Sequence, residues 1–296
     1  MATLRRTLLG PILGRLGLEI TALDDSAWLV QRRGVPAMHS RRIGPPELRT
    51  HVVLGPEATR RQPNRLQIAM GNYLGEEHIG WVLRALGVNC VLDVGANTGQ
   101  FARRLRGVGY AGRIVSFEPV SAVAAELRVH AADDPDWWVR DIATGDTDTT
   151  TEINVVPGTM SSLLPASEFG QQWSERLRDS HTESVDVRRL DGLLDELTDG
   201  IEDPRVFLKM DTQGYDLPTL AGVGDRLDDI LGLQSELSCL PIYEGMPRLA
   251  EQLTAYESHG FELSALFPVT RERGTLRLIE VDAVMVRPQA VLPARG

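Results

Sequence analysis

The chain has 296 residues, of which 42% are hydrophobic and 24% charged, and its formal net charge is −10. This composition provides enough apolar material for one large α/β domain with an appendage, or for two small domains. The negative charge argues against nucleic acid as a partner, because nucleic-acid-binding domains carry a basic face. No run approaches the roughly 20 apolar residues that an integral membrane segment needs.

Residues 1–75 differ from the rest of the chain, since they are rich in Arg, Pro and Gly and show weak periodicity. Pro11 and Arg15 interrupt the first apolar run, which favours an amphipathic helix over a signal peptide. A short hairpin is predicted around 28–35. We interpret residues 1–75 as an N-terminal extension that serves as a lid, a contact in a homo-oligomer or a docking piece, and residues 76–296 as the main domain.

From Glu76 onward, apolar strand-like runs alternate with amphipathic helical patterns. This rhythm is typical of a mainly parallel sheet covered by helices on both faces. The predicted helices are one that ends at Gly87, Phe101–Val108 and Val120–Ala132, followed by others around the last two parallel strands. The predicted strands are Cys90–Val94, Arg113–Phe117, Trp137–Ile142, Val206–Met210 and Ile230–Leu237.

Two regions break the rhythm. Phe261–Phe267 and Leu278–Val286 have no helix between them, which predicts an antiparallel hairpin at one edge of the sheet. Residues 151–189 are rich in Pro, Gly and Ser and predict a short strand, a long loop and a strand near Val185–Val187. A loop of that length in a compact domain is usually functional.

Two local features bear on the environment of the protein. Cys90 and Cys239 lie in apolar runs, which indicates buried free thiols in a reducing compartment and a cytoplasmic location. Arg103, Arg104 and Arg106 are interpreted as the solvated face of a helix.

A glycine-rich turn follows the first predicted strand and opens a helix, the position at which a ligand lies at the carboxyl end of a parallel sheet. Gly95 allows the turn, and Gly99 allows the helix to approach the sheet. Asn97 stands where a dinucleotide site has its second glycine, and Asp93 would repel a diphosphate. Glu118 follows at about the spacing of a ribose-binding acid. The turn therefore favours a cationic sulfonium donor, S-adenosylmethionine, over NAD.

Five motifs follow in order: Asp93-Val-Gly-Ala-Asn-Thr-Gly99, Ser116-Phe-Glu-Pro119, Ala143-Thr-Gly-Asp146, Lys209-Met-Asp-Thr-Gln-Gly214 and Glu236-Leu-Ser238. They resemble the FkbM family of methyltransferases from about Val91 to Pro288. The resemblance implies an α/β class I methyltransferase (Rossmann-like) fold, whose mainly parallel seven-stranded sheet has an antiparallel last strand. It also implies S-adenosylmethionine-dependent O-methylation of a small-molecule, sugar, glycolipid or polyketide hydroxyl.

The resemblance also assigns the donor site by position. The first motif would line the methionine end of the donor, Glu118 would hold the ribose, and Asp141 and Ile142 would flank the adenine. The family more often has Leu where Thr144 stands and Glu where Gln213 stands, and the second departure argues against an acidic catalytic residue at position 213. The residues expected to bind the donor are Asp93, Gly95, Ala96, Asn97, Gly99, Phe101, Glu118, Pro119, Asp141 and Ile142.

Catalytic candidates lie at the ends of two buried strands. Asp211 either faces the donor methyl group or caps the helix that begins near Leu217, and Lys209, two residues earlier on the same strand face, would pair with it or tune its charge. Glu236 closes an apolar strand, which is costly unless it is paired or placed at a site. It therefore either binds substrate, acts as a base or forms a structural ion pair.

Three sources of a base for a hydroxyl acceptor remain open at this stage. The first choice is a carboxylate at these strand ends, the second is His181 in the long loop, and the third is a divalent metal ion bound by Asp211 and Glu236. The sequence has no ligand cluster of known metal-binding spacing. Ser161 and Ser162 face substrate or simply form a turn, and Tyr243 and Glu244 wall a pocket or lie in an exposed loop.

Other functions also remain open. A non-catalytic protein that binds S-adenosylmethionine or S-adenosylhomocysteine as an assembly partner would carry the same turn. The alternative of an NAD-dependent oxidoreductase would require a diphosphate beside Asp93. The acceptor atom could also be nitrogen or carbon, because the donor motifs do not report it.

Overall fold

The computed structural model describes residues 15–23, 28–34, 38–43, 50–55, 63–272 and 274–293. Contacts divide the chain into two units, Met1–Ala69 and Met70–Gly296. Most of the predicted N-terminal amphipathic helix lies outside the described residues. Within the described ranges, no helix is both long and apolar enough to cross a bilayer.

The described residues of the first unit form two short antiparallel strand pairs. Strand β1 (Leu18–Ala22) pairs with β2 (Trp28–Arg32), and β3 (His39–Ile43) pairs with β4 (Thr50–Leu54). The hairpin predicted within 28–35 is therefore wrong in extent, because these residues supply one strand and its partner precedes them in sequence.

A long helix, α1 (Pro63–Ala85), follows and leads into the second unit. Proline is favoured at the first helical position because a backbone N–H there would have no partner within the helix, so its absence costs nothing. The helix begins well before the predicted start at Glu76, so the boundary that we placed between residues 75 and 76 falls inside it.

Seven strands form the main sheet, in the order β13-β14-β12-β11-β5-β6-β7. All run parallel except β14, which pairs antiparallel with both β12 and β13. The predicted parallel sheet with an antiparallel last strand is thus confirmed. The strands are β5 (Cys90–Val94), β6 (Arg113–Phe117), β7 (Trp137–Arg140), β11 (Val206–Met210), β12 (Ile230–Ser238), β13 (Glu262–Arg271) and β14 (Leu278–Val286). The connecting helices are α2 (Gln100–Gly107), α3 (Ser121–Ala131), α5 (Leu194–Thr198), α6 (Asp216–Ala221) and α7 (Leu249–Ser258).

The core lies on both faces of this sheet. Every residue of β5 and β11 is buried, as expected for central parallel strands. Successive side chains of a strand point to opposite faces, and alternate residues of β5 accordingly enter two clusters: Cys90, Leu92 and Val94 in one and Val91 in the other. The free thiol of Cys90 is buried, whereas that of Cys239 is partly exposed.

A second, three-stranded sheet has the order β8-β10-β9. It contains β8 (Ala143–Thr144), β9 (Thr149–Val155) and β10 (His181–Arg188). The prediction of a long loop within residues 151–189 is wrong, because helix α4 (Glu168–Trp173) and a 3-10 turn (Glu175–Arg178) lie between β9 and β10. Apolar side chains of this segment and of the residues after β12 form a separate core of their own.

Candidate functional site

A cavity of about 280 Å³ lies across the carboxyl ends of the parallel strands. Its lining follows the strand order of the sheet: Ile142 after β7, Glu118 after β6, Gly95 after β5, Asp211 after β11 and Glu236 near the end of β12. Ligands of open α/β sheets bind at this edge.

The glycine-rich turn allows two close approaches. Gly95 has φ 72°, and a Cβ there would lie 1.9 Å from the carbonyl oxygen of Asp211. Gly99 has φ 83°, and a Cβ there would lie 2.5 Å from Cζ2 of Trp137. Both positions therefore require glycine, the first to bring β5 and β11 together at the cavity and the second to seat α2 against β7.

Glu118 is buried beside this turn. Its Oε2 accepts the N–H of Asn97 at 2.9 Å, and its Oε1 accepts the N–H of Val120 at 3.0 Å. Burial raises the pKa of Glu118 to about 7, although these two N–H groups and the charge of Lys209 oppose the shift. Each carboxylate oxygen keeps a free lone-pair direction that could accept a hydroxyl of a ribose diol.

Asn97 adopts a left-handed conformation with φ 49°. Its Oδ1 accepts the N–H of Thr98 at 2.8 Å and the amide of Gln100 at 3.0 Å, and its Nδ2 donates to the carbonyl of Gly158 at 2.9 Å. The side chain thus occupies the start of α2, which is where a dinucleotide would need an open glycine.

Asp93 does not line the cavity, contrary to the sequence-based prediction. Strand alternation places it on the same face of β5 as Val91, where it is fully buried. Its Oδ1 lies 3.2 Å from Nζ of Lys209, and Ser116 Oγ donates to its Oδ2 at 3.1 Å. Because this charge is paired inside the sheet, it does not repel a diphosphate in the way that the sequence argument assumed.

Lys209 is the cation at the centre of this face. Its Nζ also lies 3.5 Å from Asp211 Oδ2 and 3.2 Å from the carbonyl of Gly95, to which it donates. Burial alone would lower the pKa of Lys209, but Asp93 and Asp211 together raise it above its ordinary value. The lysine therefore stays charged and ties β11 to the turn after β5.

Asp211 and Glu236 meet at the opposite end of the cavity from Ile142. Nε2 of Gln213 donates to Asp211 Oδ1 and to Glu236 Oε2, each at 2.9 Å. Asp211 is not the cap of the next helix, because α6 begins at Asp216, whose carboxylate accepts the N–H of Thr212 at 3.0 Å. Burial, followed by the nearby acids, raises the pKa of Glu236 well above its ordinary value.

Two further carboxylates beside Glu236 were missed in the sequence. Asp282 lies opposite Glu236 in the β12–β14 ladder, and Glu280 lies opposite Ser238. Burial raises the pKa of each to about 7, and the charge of Asp211 adds to both shifts. The available signal was two acids at positions i and i+2 within the apolar run of β14, which places them on one strand face.

Two other predicted site residues lie elsewhere. His181 is the first residue of β10, not a loop residue, and its exposed ring faces Glu183 at 3.3 Å. Asp141 forms an ion pair with Arg128 on α3. Neither lines the cavity, because the pairing of β10 with β9 carries His181 away and the ion pair turns Asp141 outward.

Some of the residues predicted to bind the donor line the cavity and others do not. Gly99 supports the turn from behind and, like Asp93, is not part of the cavity wall. The predicted residues that do line the cavity are Gly95, Ala96, Asn97, Phe101, Glu118, Pro119 and Ile142 on the side of β5, β6 and β7, and Lys209, Asp211 and Glu236 on the side of β11 and β12.

The serine and tyrosine candidates have distinct places. Ser161 lines the cavity, whereas Ser162 is buried and donates to the carbonyl of Gln213 at 2.7 Å. Tyr243 is buried behind Gln213, and Glu244 is exposed. Across the described ranges, no group of three or more His, Cys, Asp and Glu side chains is arranged to hold a metal ion.

The Arg103, Arg104 and Arg106 cluster is more than a solvated face. Arg104 lines the cavity and lies 3.6 Å from Glu76 of α1. Arg106 donates to Asp134 at 2.7 Å. Arg104 follows Gln100, another cavity residue, by one helical turn, and this spacing was the signal that could have found it.

The strand order, the glycine turn after β5 and the acid after β6 together define a class I methyltransferase fold. A family model described as the methyltransferase FkbM domain matches residues 93–263. The chain belongs to this family of S-adenosylmethionine-dependent methyltransferases. No curated protein matches the chain in sequence.

Solved structures with a similar fold are distant in sequence. Magnesium protoporphyrin IX methyltransferase from Synechocystis PCC 6803, solved with bound S-adenosylmethionine, is 12% identical, with 75% of this chain and 82% of that chain covered and a TM-score of 0.40. Fibrillarin from Aeropyrum pernix, in complex with S-adenosyl-L-methionine, is 12% identical, with 91% and 94% covered and a TM-score of 0.40. Precorrin-6y C5,15-methyltransferase from Geobacter metallireducens is 13% identical, with 71% and 86% covered and a TM-score of 0.37.

Proposed function

We propose that the chain transfers a methyl group from S-adenosylmethionine to a hydroxyl of a small molecule or sugar, with Glu236 as the general base. The observation that supports this most directly is the polarity of the cavity. It is apolar beyond β7, whereas beyond β11 and β12 it carries the carboxylates of Asp211 and Glu236, with the ammonium of Lys209 paired to Asp211.

The residues present suit this donor along the whole cavity. Ile142, Val123 and Leu163 offer an apolar slot for an adenine, and Glu118 offers acceptors for a ribose diol. At the other end, the ammonium of Lys209 is paired with Asp211, and the further carboxylate of Glu236 favours a group with positive charge over a diphosphate. This argues against the NAD-dependent alternative without relying on Asp93.

The bound donor would supply an electrophilic methyl group on a sulfonium, which leaves as a neutral thioether. In this transfer the protein would hold the acceptor oxygen in line with the methyl carbon and the sulfur, and would remove the proton of the hydroxyl. Glu236 Oε atoms would receive that proton as the new O–C bond forms. A carboxylate with a raised pKa is a better base for an alcohol than an ordinary one, which favours Glu236 over an exposed carboxylate.

The test separates binding from turnover. Glu236→Gln keeps the shape of the site, so we expect it to bind S-adenosylmethionine like the wild type in calorimetry and to lose at least about 100-fold in methyl transfer. Turnover is measured with a labelled methyl donor over a panel of hydroxylated metabolites. Glu244→Gln, an exposed glutamate after β12, is the matched control and should transfer methyl groups normally.

Three results would contradict the proposal. Binding of NAD without binding of S-adenosylmethionine would support an oxidoreductase. Donor binding without transfer to any acceptor by the wild type would support a non-catalytic assembly partner. Full turnover by Glu236→Gln would remove the glutamate from the reaction.

A further inference from the structure

Gln213 holds an unusual backbone position directly after β11. It has φ 54°, a left-handed conformation that non-glycine residues rarely adopt. The hydroxyl of Ser162 donates to its carbonyl at 2.7 Å, which fixes the peptide from the side of the smaller sheet. The direction of the Gln213 side chain is therefore set by the backbone, and it points toward the two carboxylates of the cavity.

The side-chain amide joins three groups. Its Nε2 lies 2.9 Å from Asp211 Oδ1 and 2.9 Å from Glu236 Oε2, and its Oε1 lies 3.0 Å from the hydroxyl of Tyr243. An amide nitrogen carries two hydrogens, so each carboxylate can accept one of them. Tyr243 is buried and holds the far end of the amide in place.

We propose that Gln213 is a positioning residue that holds Glu236 in its ionised form and fixes the direction of its free oxygen toward the acceptor. This inference rests on the proposed function, in which Glu236 is the base.

The surroundings of Glu236 disfavour its ionised form. Glu280 and Asp282 face it from β14, Asp211 from the end of β11 and Asp216 from α6, and burial together with these acids disfavours its charge. The amide of Gln213 opposes them, because its N–H forms a stronger hydrogen bond with an ionised carboxylate oxygen than with an oxygen of the neutral carboxyl. The NH₂ group of the amide also lies between the carboxylates of Asp211 and Glu236, which would repel each other if they were in direct contact.

A carboxyl titration measures this role directly and needs no acceptor. In the full chain labelled with ¹³C at the glutamate carboxyls, Glu236→Gln identifies the Glu236 signal. Gln213→Leu should raise the pH midpoint of that signal by about one unit, as expected for loss of one hydrogen bond to a charged group. Gln172→Leu makes the same change at an exposed glutamine of α4 and should leave the midpoint unchanged.

A second variant keeps the test decisive if Gln213→Leu does not fold. Gln213→Glu has the same shape but adds a third carboxyl between the other two, so the Glu236 midpoint should rise by more than in Gln213→Leu. Unchanged midpoints in the folded variants overturn the inference.

The outcome is separable from that of the proposed function. If Glu236→Gln loses turnover while the Gln213 variants titrate like the wild type, the inference fails and the function stands. Where an acceptor is found, Gln213→Leu should lower kcat more than it changes KM and should regain activity as the pH rises, a recovery that a merely structural defect would not show.

Discussion

Glu118 combines two demands that usually conflict. It is buried, which raises its pKa to about 7, yet its two oxygens accept N–H groups from Asn97 and Val120 that favour the ionised form. In the proposed function, the hydroxyls of a ribose would donate to the same carboxylate. A ligand that prefers the ionised form must bind less well once that form is lost.

Donor affinity should therefore depend on pH through Glu118. Titration calorimetry with S-adenosylhomocysteine, whose sulfur is uncharged, should show weaker binding as the pH falls below about 7. Glu118→Gln should bind at least about tenfold more weakly at pH 8, because it loses hydrogen bonds to a charged group, and should lose most of the pH dependence. An unchanged pH profile in Glu118→Gln would place the ribose elsewhere.

At the scale of elements, the glycine turn shows which contacts the sequence could reveal. The short motif 93–99 predicted a strand, a turn and a helix, and β5 and α2 form where expected. The partner of Gly95 could not be predicted, because the carbonyl that lies against it belongs to Asp211, which directly follows β11, over a hundred residues later. A local motif indicates where the backbone needs a glycine. Which residue packs against that glycine depends on the order of the strands in the sheet.

The same limit explains the errors at Asp93 and His181. Asp93 lies opposite Lys209 in the parallel register of β5 and β11, and His181 lies opposite Val155 in β10 and β9. Neither register is encoded in the residues nearby. Asp211 and Glu236 do line the cavity, and their placement there could be predicted because burying a charged group at the end of an apolar strand is costly unless it is paired or exposed in a cavity.

Alanine substitutions at two glycines can separate the effect of the close contact at Gly95 from the effect of backbone strain. Gly95→Ala and Gly109→Ala both place a Cβ at positive φ, but the Cβ at Gly109 meets nothing within 4 Å. Gly109→Ala should cost about 1 kcal/mol in the free energy of unfolding. Gly95→Ala should cost clearly more and weaken donor binding, as measured by urea unfolding and calorimetry; equal costs would mean that the turn has room to move.

For the whole molecule, the buried acids make stability depend on pH in an uncommon direction. The carboxyls of Glu118, Glu280 and Asp282 have pKa values of about 7 in the fold, against ordinary values of 4.5, 4.5 and 3.8. At pH values between the ordinary pKa of each carboxyl and its pKa in the fold, the native protein holds protons that the unfolded chain has released. Unfolding then becomes easier as the pH rises, because stability falls wherever the native state binds more protons.

We expect the free energy of unfolding in urea to be higher at pH 5.5 than at pH 8 by at least about 1 kcal/mol. The double variant Glu280→Gln, Asp282→Asn should reduce that difference, since it removes two of the titrating groups. Equal stability at both pH values in the wild type would show that these carboxyls titrate normally.

The place of β14 inside the sheet, between β12 and the edge strand β13, has a consequence for the order in which the chain is synthesised and paired. This strand pairs with β12 on one side and β13 on the other, although it follows both in sequence. While the ribosome is still adding residues 278–286, the edge of β12 is open and Glu236 has no neighbours from β14. The end of the cavity at Glu236 therefore gains its neighbours from β14 only after the other strands have been synthesised, and until then the unpaired strand edge is a surface to which other nascent chains can adhere.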